Sequence, residues 1–218
     1  FNSCAQLYLY GGAISGNKGL PITGTSRYDI PNIYGGEISY NYNPTPSQPS
    51  AFYKVGILRN AKIINNVSTG SDTYVITNTN WRSSQVRNYS DKSYTNTPVT
   101  MSGSTVIAGN KRILDDGTLE DANYLTADAD KNGNYGFALD GGLTEGADIH
   151  VSLLATPANN RILATGNTNK NSAQYFTIDN YTLGPSSPYP DLILCDNGTS
   201  VQIVQRPAAP TVSIADPA

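Results

Sequence analysis

Short runs of alternating apolar and polar residues, each bounded by Gly, Pro, Asn or Asp, recur along the whole chain and limit what it can fold into. They lie at Gln6–Tyr10, Glu37–Tyr42, Phe52–Leu58, Lys62–Val67, Thr73–Thr77, Val99–Ala108, Tyr135–Leu139, Asp148–Leu154, Arg161–Ala164, Tyr175–Ile178, Asp191–Leu194 and Ser200–Val204. Alternation with period two is the mark of a half-buried strand, and no window sustains the 3.6-residue period of a helix. Tyr is abundant at 15 residues, while Glu occurs three times and Met once, so strand formers outweigh helix formers. With 218 residues the chain is long enough for one sizeable core. The expected fold is all-β: a β-sandwich, Ig-like or jelly-roll, with a C-terminal extended strand.

Two proline-rich stretches, Asn43–Pro49 and Pro185–Pro190, read as surface crossovers or edge features, because Pro cannot donate to a sheet ladder. The expected organisation is one elaborated domain over residues 1–205, with a subdivision near 100–105 as the alternative. Residues 206–218 then form a linker through Pro207 and Pro210. Beyond it, Thr211, Val212, Ser213 and Ile214 alternate like a donor strand or the start of a next module.

Only 14 % of residues are charged and the formal net charge is −3, which argues against a nucleic-acid partner. No apolar run approaches the roughly 18–20 residues of a membrane helix. Phe stands at position 1 and the only Met is Met101, which predicts a processed or cut product whose signal peptide has gone. Cys4 and Cys195 each lie in or beside a strand-like run. A disulfide between them would close a long loop, worth about 4–5 kcal/mol on chain-entropy grounds, and would imply an oxidising compartment; two free thiols are the alternative. Asn66, Asn88, Asn180 and Asn197 open Asn-X-Ser/Thr triplets, no more than 23 Asn in a Ser/Thr-rich chain would produce by chance.

Asp128, Asp130, Asn132 and Gly133 match the first half of an EF-hand loop, but Leu139 stands where the closing Glu belongs. Asp116, Asp121 or Asp140 would have to complete an irregular calcium site. Residues 115–148 hold nine of the 17 acidic side chains and one of the 14 basic ones, which favours a cation there. The plainer reading of the same residues is a solvated Asn-Gly turn. Calcium is the one cofactor the sequence suggests.

The single His, His150, has no nucleophile motif or metal-spaced partner and reads as a strand residue. With three Glu, a glycosidase carboxylate pair has little to draw on. Tyr40, Tyr42 and Trp81, with Asn80 and Arg82, form the best candidate for a glycan-binding surface, since aromatic faces stack on sugars and amides bind hydroxyls. The alternative is that these aromatics line sheet faces.

Residues 122–156 include Ala127-Asp-Ala-Asp-Lys-Asn-Gly-Asn-Tyr-Gly-Phe137, followed by Leu139-Asp-Gly-Gly142 and an alternating strand. This stretch resembles the middle of bacterial Ig-like modules of surface adhesins, and Pro207–Ile214 resembles the segment that opens such a module. The resemblance implies a prokaryotic cell-surface or filament context and no catalysis. The expectation is therefore a non-enzymatic, extracellular filament subunit or adhesin. Its partners would be copies of itself or an adjacent module, joined by β-strand complementation. The alternative is a glycan-binding lectin domain of a fimbrial tip adhesin.

Overall fold

The computed structural model describes residues 7–22, 31–46, 48–52, 55–70, 76, 99–123, 125–126, 137–153 and 156–208. Within them the chain winds through successive coils, each laid on the one before. The first coil carries β1 (Tyr8–Leu9) and β2 (Ala13–Ser15). The second carries β3 (Asn32–Ile33), β4 (Glu37–Ser39) and β5 (Tyr42–Pro46). The third carries β6 (Ile57–Arg59), β7 (Lys62–Ile64) and β8 (Val67–Thr69). The fourth carries β9 (Val99–Gly103), β10 (Val106–Ala108) and β11 (Lys111–Ile113), trailed by β12 (Leu119–Asp121) and β13 (Leu125–Thr126). β14 (Phe137–Leu143) and β15 (Asp148–Leu153) make the fifth. β16 (Arg161–Gly166), a 3-10 turn at Ser172–Tyr175 and β17 (Phe176–Ile178) make the sixth. A hairpin of β18 (Leu192–Asp196) and β19 (Ser200–Gln205) follows.

Corresponding strands of successive coils pair into three sheets. The first runs β1-β3-β6-β9-β14-β16-β19-β18, the second β13-β15-β10-β7-β4-β2 with β17 also on β15, and the third β12-β11-β8-β5. All pairings are parallel except β11–β12, β16–β19 and β18–β19. This is a parallel β-helix. It overturns the expected sandwich, whether Ig-like or jelly-roll, because those folds pack antiparallel sheets face to face. The strand-rich composition was read correctly; the topology was not.

The reason lies at the corners. Lys62–Val67 and Val99–Ala108 each look like one alternating strand, yet each contains a bend, at Asn65–Asn66 and Ser104–Thr105, that carries the chain into the next sheet. At the corner after the second sheet, Gly16, Tyr40, Asn65 and Gly109 all have positive φ, between 53° and 69°. That left-handed conformation turns the chain without breaking the stack. Asn43–Pro49, read as a crossover, begins as strand β5. Its prolines are tolerated because β5 edges its sheet and shifts register between Tyr42 and Pro46. Residues 100–105 fall in β9 and the corner after it, in the middle of the stack.

Stacking like on like builds the core. Ile14, Ile38, Ile63, Ile107, Ile149 and Phe176 align one per coil in the second sheet. Ile33, Leu58, Met101 and Leu139 align in the first. From Ile38 to Ile149 every isoleucine of that column is fully buried, each contributing about 1.5–3 kcal/mol.

Candidate functional site

Behind the corner after the second sheet runs a ladder of asparagines. Asn17, Asn41, Asn66, Asn110 and Asn123 follow at separations of 24, 25, 44 and 13 residues, yet are adjacent in space. Each Nδ2 donates to the next Oδ1 at 2.9 Å, and the backbone N–H of the same residue donates to that oxygen at 2.9–3.1 Å. Nδ2 also donates to a carbonyl of the preceding coil: Ile14, Ile38 or Ile63. Asn41, Asn66, Asn110 and Asn123 are fully buried. Such a network is satisfied only when the coils stack in register, so it fixes the register.

The ladder ends on a charge. Asn123 Nδ2 donates to Asp179 Oδ2 at 2.9 Å, and Asp179 Oδ1 lies 2.7 Å from His150 Nδ1. His150 Nε2 faces Asp148 Oδ1 at 3.4 Å. The hydrogen bond to Asp179 holds the imidazole pKa above its usual value, with the Asp179 and Asp148 charges adding and partial burial opposing. With a carboxylate facing each ring nitrogen, His150 ties β15 to the segment after β17, and both carboxylates favour its charged form. That arrangement suits structure better than proton abstraction, which needs a neutral imidazole nitrogen open to a substrate.

The outer face of the first sheet carries a different column. Tyr10 and Tyr34 directly follow the paired strands β1 and β3, Arg59 pairs with Ser102, and Asp140 lies in β14 where its register against β9 shifts. Tyr10 stacks on Tyr34 with ring centroids 5.2 Å apart and planes 13° apart, and Tyr8 stacks on the same ring at 6.4 Å. The Arg59 guanidinium lies 5.9 Å from the Tyr34 centroid. Its Nε donates to Ser102 Oγ at 3.0 Å and its Nη2 to Asp140 Oδ2 at 2.9 Å. The ring faces within the stack cover one another, so the strip offers ring edges, phenolic hydroxyls, a guanidinium, a carboxylate and the outer face of Tyr10. Tyr10 is 74 % exposed and Tyr8 46 %. Five coils at about 4.8 Å per strand give a strip about 19 Å long. An open aromatic face, here that of Tyr10, flanked by hydroxyls and other donors and acceptors is the chemistry that holds pyranose rings.

Of the residues expected to bind glycan, the two described ones stand apart from this strip. Tyr40, 64 % exposed, occupies a corner, and Tyr42, 38 % exposed, stands in β5; Asn80, Trp81 and Arg82 lie outside the described residues. So do Asp128, Asp130 and Asn132, and the tail residues Thr211, Val212, Ser213 and Ile214. The three acids considered for completing a calcium site are engaged separately. Asp116 accepts the Thr118 N–H, a bond that lowers its pKa. Asp121 pairs with Lys111 at 2.7 Å, and Asp140 pairs with Arg59. Among the described residues no group of three or more His, Cys, Asp or Glu could hold a metal.

Cys195 carries a free, half-buried thiol in β18, at the opposite edge of the first sheet from β1. Seven strand spacings, about 34 Å, separate those edges; Cys4 lies outside the described residues. Asn66, which opens an Asn-X-Ser triplet, is buried in the ladder and closed to glycosylation in the folded chain. Tyr8, Tyr10 and Arg59 were missed as site residues. The signal that could have found them is the repeat of Tyr10-Gly-Gly at Tyr34-Gly-Gly, one coil on, which sets the register of the strip.

No helix among the described residues is long and apolar enough to cross a membrane. Comparison with protein-family models, with curated proteins and with solved structures finds no match to this chain.

Proposed function

We propose that this chain is a non-enzymatic attachment protein of the prokaryotic cell exterior that binds glycans along the outer face of its first sheet. The observation that carries this reading is the column of Tyr10, Tyr34, Arg59 and Asp140, with Tyr8 beside it. A β-helix supports it well, because backbone stacking holds the strip rigid and straight, so little entropy is lost when a linear ligand lies along it. The low charge content and Tyr/Asn/Thr-rich composition fit an exterior setting. Arg59 and Asp140 neutralise one another, which favours neutral or weakly charged sugars over polyanions.

A glycan array on the folded chain tests this. Saturable binding is expected, weakened more than tenfold by Tyr10→Ala and by Tyr34→Ala, and unchanged by Tyr40→Ala on a different face. A blank array with folded protein, or equal loss in all three variants, would overturn the assignment.

A further inference from the structure

The two ends of the β-helix are finished differently. At the C-terminal end the hairpin of β18 and β19 ends the first sheet with antiparallel strands, and the ladder closes on Asp179 and His150. At the N-terminal end β2 pairs, among the described residues, with β4 alone. The bonds from Glu37 N to Gly12 O and from Gly16 N to Ser39 O point the even-numbered groups of β2 into the stack. By strand alternation, the backbone groups of Ala13 and Ser15 then face outward along an edge that has no strand partner among the described residues. Gly11, Gly12, Ala13, Ser15, Gly16, Asn17 and Lys18 are all exposed. Ile14 is half-buried, whereas Ile38, Ile63, Ile107 and Ile149 are fully buried. Asn17 Oδ1 is the one ladder oxygen that accepts no hydrogen bond among the described residues, while each later one accepts two. Edge, core column and ladder are all one strand short at the same place.

We infer that this edge accepts residues Thr211–Ala215 of a second copy of the chain, so that copies join head to tail. Ser213-Ile214-Ala215 repeats the pattern of the strands it would continue, Ala13-Ile14-Ser15 and Val106-Ile107-Ala108, with isoleucine at the centre. Ile214 then covers Ile14. The donor belongs to another copy because the chain's own tail falls short. An added strand would lie seven spacings from β19, about 34 Å, and the six residues from Gln205 to Thr211 span at most about 21 Å. The inference is independent of the glycan reading, since it uses the end of the helix and not its outer face.

Analytical ultracentrifugation of the full chain over a wide concentration range tests it. The wild type forms a concentration-dependent series of oligomers. Ile214→Asp removes the donor and Ser15→Pro removes the outward N–H of the acceptor while sparing the bonds to β4; each alone stays monomeric. Their equimolar mixture stops at a dimer, because one intact donor meets one intact acceptor. A monomeric wild type, an Ile214→Asp chain that still forms the series, or a mixture that stays monomeric with both variants folded by circular dichroism would overturn the inference. If Ser15→Pro does not fold, a synthetic peptide of residues 206–218 replaces it. Saturable binding of that peptide to Ile214→Asp supports the joint, and no binding refutes it.

Discussion

Removing one rung of the ladder should cost far more at its middle than at its end. Asn66→Ala deletes an oxygen that accepts the Asn41 N–H at 3.1 Å and Asn41 Nδ2 at 2.9 Å. It also deletes an amide that donates to Ile38 O, Ile64 O and Asn110 Oδ1. The carbonyls keep strand partners, and Asn110 Oδ1 keeps the Asn66 backbone N–H at 3.0 Å. The Asn41 N–H does not; it is left buried without an acceptor, at about 1–3 kcal/mol. The remaining bonds add about 0.5–1.5 kcal/mol each, and partial relaxation brings the total to about 3–5 kcal/mol. For a chain of this length that is about 6–20 °C in Tm. Asn17→Ala is the control. It keeps its backbone bond to Asn41 Oδ1 and loses only exposed or half-buried bonds from Nδ2, which are worth about 1 kcal/mol. Thermal unfolding followed by circular dichroism, with urea titration alongside, measures both. If Asn66→Ala costs no more than Asn17→Ala, the ladder does not hold the coils in register and the reasoning fails.

Two further outcomes follow from the same geometry. The folded-state pKa of His150 lies above its unfolded value, so its contribution to stability is complete below about pH 6.5 and is lost as pH rises through the folded value. Tm should therefore fall with rising pH across that window, and His150→Gln should flatten the profile; an unchanged slope in the variant would contradict the assignment. Gly36 and Gly117 have nearly the same φ, +87° and +86°, but a Cβ at Gly36 would sit 2.6 Å from Gly12 O while one at Gly117 meets nothing within 4 Å. Gly117→Ala thus costs strain alone, about 1–2 kcal/mol, whereas Gly36→Ala should cost clearly more in the same denaturation assay, because the first two coils must part to admit the methyl.

The strands were legible in the residues and the coil was not, for a physical reason. Period-two alternation reports that one face is buried and is silent on which neighbour buries it. The neighbour is recorded at longer range. Tyr10-Gly-Gly-Ala-Ile-Ser-Gly-Asn17 and Tyr34-Gly-Gly-Glu-Ile-Ser-Tyr-Asn41 are near copies, one coil apart. The element Ile-x-x-Asn recurs at Ile14–Asn17, Ile38–Asn41, Ile63–Asn66 and Ile107–Asn110. A repeat of that length is the mark of a solenoid. It loses its regularity after Asn66, where 44 residues separate successive ladder positions, so a reading that moves strand by strand passes over it.

The candidate site was hidden by the same geometry. In a β-helix the residues flanking a side chain in space are those one coil away, so clusters along the sequence disperse and dispersed residues gather. The acidic stretch 115–148 looked starved of bases and therefore ready for a cation. Yet Asp140 is met by Arg59, 81 residues earlier, and Asp121 and Glu120 are met by Lys111 and Arg112 across β11 and β12. Tyr40 and Tyr42, neighbours in sequence, stand at a corner and in the strand beyond it, whereas Tyr10 and Tyr34 share a stack. Charge balance and aromatic contact in this chain are set across the sheets, at right angles to the direction in which the sequence is read. The strip on the first sheet therefore has to be sought by register: a substitution at Tyr34 acts on Tyr10 and Arg59, not on Asn32 or Glu37.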